Sequence, residues 1–84
     1  SIKRVALEEK SVISPNPFNN ILNIVANKEI NRVVIYSLSG RVLLSKDINS
    51  NEATVDLSTL HKGVYLAEVV YADGTRENQK IVKK

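Results

Sequence analysis

"VYLAEVVYADGTRENQKIV" (64–82) is the stretch whose reading decides the fold. In "VYLAEVVY" (64–71) side chains alternate between two faces of an extended chain. Tyr65, Ala67, Val69 and Tyr71 share one face, and Val64, Leu66, Glu68 and Val70 share the other. The charge on Glu68 assigns the core to the Tyr65 face. "ADGT" (72–75) carries Asp-Gly, a pair suited to the positive φ of tight hairpin turns. "RENQKIV" (76–82) then returns as the partner strand.

Working outward, the same grammar repeats. "RVVIYSL" (32–38), a turn at Gly40 and "RVLLSKDI" (41–48) read as a second hairpin. "ATVDL" (53–57) is a strand with Val55 and Leu57 on one face. "STLHKG" (58–63) is too short for a helix and reads as one turn, capped by Ser58 and closed at Gly63. "ILNIV" (21–25) directs Leu22 and Ile24 inward. "NKEI" (27–30) is expected to turn and "NSNE" (49–52) to loop. "SVIS" (11–14) is a brief strand that stops at Pro15, because proline lacks an N–H and fixes φ. Asn16, preceding Pro17, is pushed toward extended geometry. Residues 1–10 read as an N-terminal linker or edge strand, and 11–84 as the domain. The expectation is all-β, an antiparallel β-sandwich of about seven strands.

Composition agrees with one small domain. The chain has 84 residues, 43% of them hydrophobic, and no cysteine to staple a thin core. The net charge is +3, much of it in Lys80, Lys83 and Lys84, which read first as a solvated edge. No apolar run is long enough to cross a bilayer as a helix. A start at Ser1 without methionine reads as a piece of a longer precursor.

Catalytic signals are weak. His61 is the single histidine, and in a polar turn it reads as a surface residue. Metal sites need several ligands at suitable spacing, and no such set stands out. Glu8 and Glu9 point to opposite sides if extended, and Asp73 has a turn to make. The three glycines sit in turns, so no phosphate loop is present. Tyr36, Tyr65 and Tyr71 lie in apolar strands, which favours packing over base stacking. The reading is a non-catalytic β-module with no cofactor and no nucleic-acid partner.

Four segments in series carry a resemblance: "SPNPFNNILNI" (14–24), "VVIYSLSGRVLLS" (33–45), "VDLSTLHKGVYLAEV" (55–69) and "KIVKK" (80–84). Their order resembles the type A C-terminal sorting domain of the Bacteroidetes type IX (Por) secretion system, over residues 12–84. The resemblance implies an Ig-like sandwich that acts as a transport address. The motif positions it singles out are Pro15, Asn16, Pro17, Gly40, Gly63, Tyr65, Lys80, Ile81, Val82, Lys83 and Lys84. It implies a cargo N-terminal in the same precursor, periplasmic transit and recognition by outer-membrane translocon and shuttle proteins. It further implies removal by a sortase-like cysteine peptidase, with cargo delivered to the cell surface or secreted. The alternative is an Ig- or fibronectin-like accessory module binding carbohydrate or a protein. The edge of the last strand, 76–82, is the expected place for a receptor to add a strand. Unpaired edges also allow a strand-mediated dimer.

Overall fold

A computed structural model of the chain describes residues 11–84, so the expected linker or strand at 1–10 lies outside the described residues. Among the described residues there are five strands: β1 (Ser11–Ser14), β2 (Ile21–Tyr36), β3 (Val42–Asp56), β4 (Gly63–Tyr71) and β5 (Arg76–Lys83). All pair antiparallel in one hydrogen-bonded sheet, in the order β1-β2-β4-β5, with β3 on the other side of β2. No helix occurs among the described residues.

The expected strand count of about seven is corrected to five, and the reason is local. "ILNIV" and "RVVIY" are two ends of one strand, β2, and "RVLLSKDI" and "ATVD" are two ends of β3. The expected turn at 27–30 and loop at 49–52 stay extended and cross a corner together. The register passes from Val25 opposite Glu52 to Ile30 opposite Ser50, so residues 26–29 face only Asn51. Such a bulge bends both strands and increases their twist. A second register shift follows between Ile30 and Arg32, and there Asn49 has φ 60, a conformation asparagine tolerates.

The corner turns one sheet into two layers, as strands do when they switch sheets at a bulge. The first half of β2 lies between β1 and the end of β3. Its second half lies between the start of β3 and β4, with β5 beyond. Leu22, Ile24 and Val55 from one layer and Val33, Ile35, Ala67, Val69 and Ile81 from the other form one core, every one of them fully buried. The inward assignment of Leu22, Ile24 and the Tyr65 face holds, with Tyr65 itself half-buried at the rim.

Polar contacts lock the two layers. Lys28, in the bulge, donates to Asp73 Oδ2 at 2.9 Å and Thr75 Oγ1 at 2.8 Å, and lies 4.6 Å from the Tyr71 ring centre. The Ala72 N–H donates to Glu29 O at 3.0 Å, so the corner seats on the β4–β5 turn. Hydrogen bonds from Thr75 and Lys28 hold the Asp73 carboxyl well below the usual carboxylate range. Along the open side of the sandwich, Glu77 Oε1 accepts from Ser11 Oγ at 2.6 Å and from Tyr71 Oη at 2.7 Å. That bond joins β1 in one layer to β5 in the other.

Burial first, and the Glu77 hydrogen bond second, push the Tyr71 phenol up to about 12. The unfolded chain releases this proton near pH 10, so the contribution is intact below that pH and is lost as the pH rises to about 12. Urea midpoints should therefore fall across that window in the wild type and fall less steeply in Tyr71→Phe; parallel declines would remove Tyr71 as the cause.

Candidate recognition surface

The final strand runs alongside the start of β4, with Gly63 opposite Lys83, Val64 opposite Val82, Tyr65 opposite Ile81 and Leu66 opposite Lys80. Alternation along β5 divides the basic motif. Ile81 is fully buried in the core. Lys83 also points inward, is only 8% exposed, and donates from Nζ to Asn20 Oδ1 at 3.2 Å. Lys80 and Lys84 are exposed, and Val82 is half-buried. The reading of the three lysines as one solvated tip is therefore corrected: Lys83 faces the core side, because residues 81 and 83 share a face.

Pro15, Asn16 and Pro17 lie directly against this strand, on the edge away from β4. Asn16 uses both ends of its amide there: Nδ2 donates to Lys80 O at 3.2 Å and Oδ1 accepts from Val82 N at 3.0 Å. Phe18 continues the cover, donating from its N–H to Val82 O at 2.9 Å and accepting from Lys84 N at 2.8 Å. These bonds form an isolated parallel bridge between Phe18 and Lys83. Both X-Pro bonds are cis. The prolines and Asn16 are exposed, whereas Phe18 is fully buried. The expectation of an open edge along the last strand is thus corrected between Lys80 and Lys84, where the chain's own segment fills it.

Gly63 and Tyr65 serve the other edge of the same region. Gly63 has φ 154, which side-chain-bearing residues rarely adopt, and a Cβ there would sit 3.9 Å from the Tyr65 ring in ordinary contact. The glycine is required by its backbone rather than by lack of space. Tyr65 Oη donates to His61 O at 2.6 Å, pinning the turn that leads into β4. The expected single turn capped by Ser58 and closed at Gly63 is corrected at both ends. It closes through Leu60 N–H to Leu57 O at 3.1 Å, with Gly63 already in β4. The cap is Asp56, whose Oδ1 accepts from Ser58 N at 2.9 Å and whose carboxyl is held below its usual range by that bond. His61 is exposed.

Gly40, with φ 93, closes the turn after β2 through its N–H to Ser37 O at 2.9 Å. Tyr36 pairs with Leu66, so this turn leaves β2 at the end of the layer where β4 begins and β5 finishes. Three of the four motifs therefore meet on the last strand, and the fourth lies at the same end of the sheet.

Sequence reasoning missed Phe18, Asn20 and the Glu68 site. Phe18 is the chain's single phenylalanine and stands outside any alternating run, which was a usable sign. Asn20 carried none. Glu68 faces outward yet is only 8% exposed, covered by Tyr36, whose Oη donates to Glu68 Oε1 at 2.8 Å, and by Arg76 at 3.5 Å. That hydrogen bond is the main reason the Tyr36 phenol is raised. With Arg32 these groups line a cleft of about 250 Å³ on the outer face. Among the described residues, no cluster of His, Cys, Asp and Glu is arranged to hold a metal ion.

With this geometry in place, similarity to known proteins becomes informative. Residues 12–84 match the family model of the secretion system C-terminal sorting domain. The chain is 36% identical over 74 residues to Beta-agarase D of Zobellia galactanivorans, covering 88% of this chain and 15% of that enzyme. Among solved structures, CopC from Methylosinus trichosporium OB3b aligns with a TM-score of 0.53 at 15% identity, over 87% of this chain and 90% of that one. The last likeness speaks for the β-sandwich fold alone. The chain belongs to the family of secretion system C-terminal sorting domains. It is a sorting domain of the type IX kind, which implies a type IX secretion system and a cargo N-terminal to it in the same precursor, bound for the cell surface or secretion.

The two edge contacts should separate in mutants. Gly63→Ala is expected to cost roughly 1–3 kcal/mol through its backbone angle, and Tyr65→Phe about 1 kcal/mol through one lost hydrogen bond. Urea unfolding of both variants checks this; equal stability of Gly63→Ala and wild type would refute the backbone argument.

Proposed function

We propose that this domain is read by the outer-membrane translocon and its shuttle proteins after the precursor has crossed the periplasm. A sortase-like cysteine peptidase then removes it, and the cargo is left attached to the cell surface or released. The domain acts as an address and performs no catalysis. The observation that carries the reading is the family match over residues 12–84. The convergence of Pro15-Asn16-Pro17, Gly63-Val64-Tyr65 and residues 80–84 on one strand supports it, because the motifs of the signal then form one surface. The small share of the agarase that is matched also fits a transferable appendage.

The accessory-module alternative finds less support. A sugar platform needs flat aromatic faces in solvent. Phe18 and Tyr71 are buried, Tyr36 and Tyr65 are half-buried, and all three tyrosine hydroxyls are engaged within the chain.

The test is a periplasmic reporter fused ahead of residues 1–84. It should reach the surface of a type IX-competent host and remain in the periplasm of a host lacking that machinery. Equal surface display in both hosts would defeat the proposal.

A further inference from the structure

In the free domain, four main-chain groups that an incoming strand would need are already engaged. Lys80 O and Val82 N are held by Asn16, and Val82 O and Lys84 N by Phe18. Pro15 and Pro17 have no N–H, so the covering segment closes the edge without offering a ladder of its own. Its anchor is the fully buried Phe18 ring, and pulling it out would leave a cavity in a thin core. Residues 80–84 are therefore legible to a partner through side chains. Ile81 and Lys83 face inward, which leaves Lys80, Val82 and Lys84. Register places Val64, 37% exposed, directly beside Val82, and half-buried Leu66 beside Lys80.

We infer that Asn16 is a positioning residue, which fixes the edge of β5 so that the folded domain presents Lys80, Val82 and Lys84 as a rigid surface. The partner that fits is a folded protein with an apolar seat for Val64 and Val82 and carboxylates placed for Lys80 and Lys84. Charge complementarity and the closed edge both favour this occupant over a strand of the partner added to β5. The inference rests on the sorting-domain reading and deepens it.

The experiment combines amide hydrogen exchange on the 84-residue chain with surface display of the reporter fusion in a type IX-competent host. In the wild type, the Val82 and Lys84 amides should be protected. Asn16→Ala should speed Val82 exchange about tenfold, leave the melting transition cooperative and reduce display severalfold. Asn16→Asp keeps the acceptor for Val82 N–H and loses the donor to Lys80 O, so its display should fall between the two. Lys80→Glu combined with Lys84→Glu should leave exchange unchanged and abolish display. Undiminished display in Asn16→Ala despite fast Val82 exchange would overturn the positioning role. Increased display would overturn it too, in favour of main-chain reading. If Asn16→Ala fails to fold, the double lysine variant decides, and normal display there overturns the side-chain surface. A wild-type fusion that is not displayed overturns the sorting reading and this inference with it, whereas wild-type display with every variant equally displayed overturns this inference alone.

Discussion

The pairing of β2 with β3 through the corner is the constraint on which the other contacts depend. A sandwich usually needs two sheets, each with enough strands to bury a face. Here one continuous pair supplies both layers, because residues 26–29 bulge against Asn51 and bend the pair without breaking it. Only then can Leu22 and Ile24 meet Val33 and Ile35, residues of the same strand, across one core. Lys28 stitches the bend to the β4–β5 turn. Its ion pair with Asp73 is partly solvent-exposed and contributes little energy by itself. Its value lies in orientation, together with the Ala72 to Glu29 backbone bond.

A sheet folded on itself still has edges, and this chain treats them differently. The edge of β5 is closed between Lys80 and Lys84 by Asn16 and Phe18. The outer edge of β3 has no strand beside it among the described residues, and it carries Lys46, Asp47, Glu52 and Asp56. Charges on an open edge discourage pairing with another chain. The closed edge is the one bearing the basic motif, so protection there comes from a dedicated segment and leaves Lys80 and Lys84 free for other contacts.

Much of this was legible in the sequence. Alternation in 64–71 and the Asp-Gly turn fixed the β4–β5 hairpin and its inward face, and Gly40 marked a real turn, whereas Gly63 proved to be the first residue of β4. The family was legible from four motifs in series. The corner was not, because "NKEI" and "NSNE" have turn composition, and local propensity says nothing about two segments bending together. The clamp was not, because Asn16 and Val82 are far apart in sequence and a side-chain amide bonding to a distant backbone leaves no periodic trace. The inward turn of Lys83 follows from alternation, but charge argued against it until Asn20 was seen to receive its amine.

The clamp joins the beginning of the described fold to its end, with Asn16 and Val82 separated by 66 positions. Closing so long a loop costs chain entropy, which the packing between the two ends must offset. A chain that stops short of Lys80 would leave Asn16 without a partner, Phe18 without its bridge and Tyr65 without Ile81 opposite it. The surface around the last strand therefore exists only in a polypeptide that includes residues 80–84, and its assembly ties the segment at Asn16 to the opposite end of the described fold.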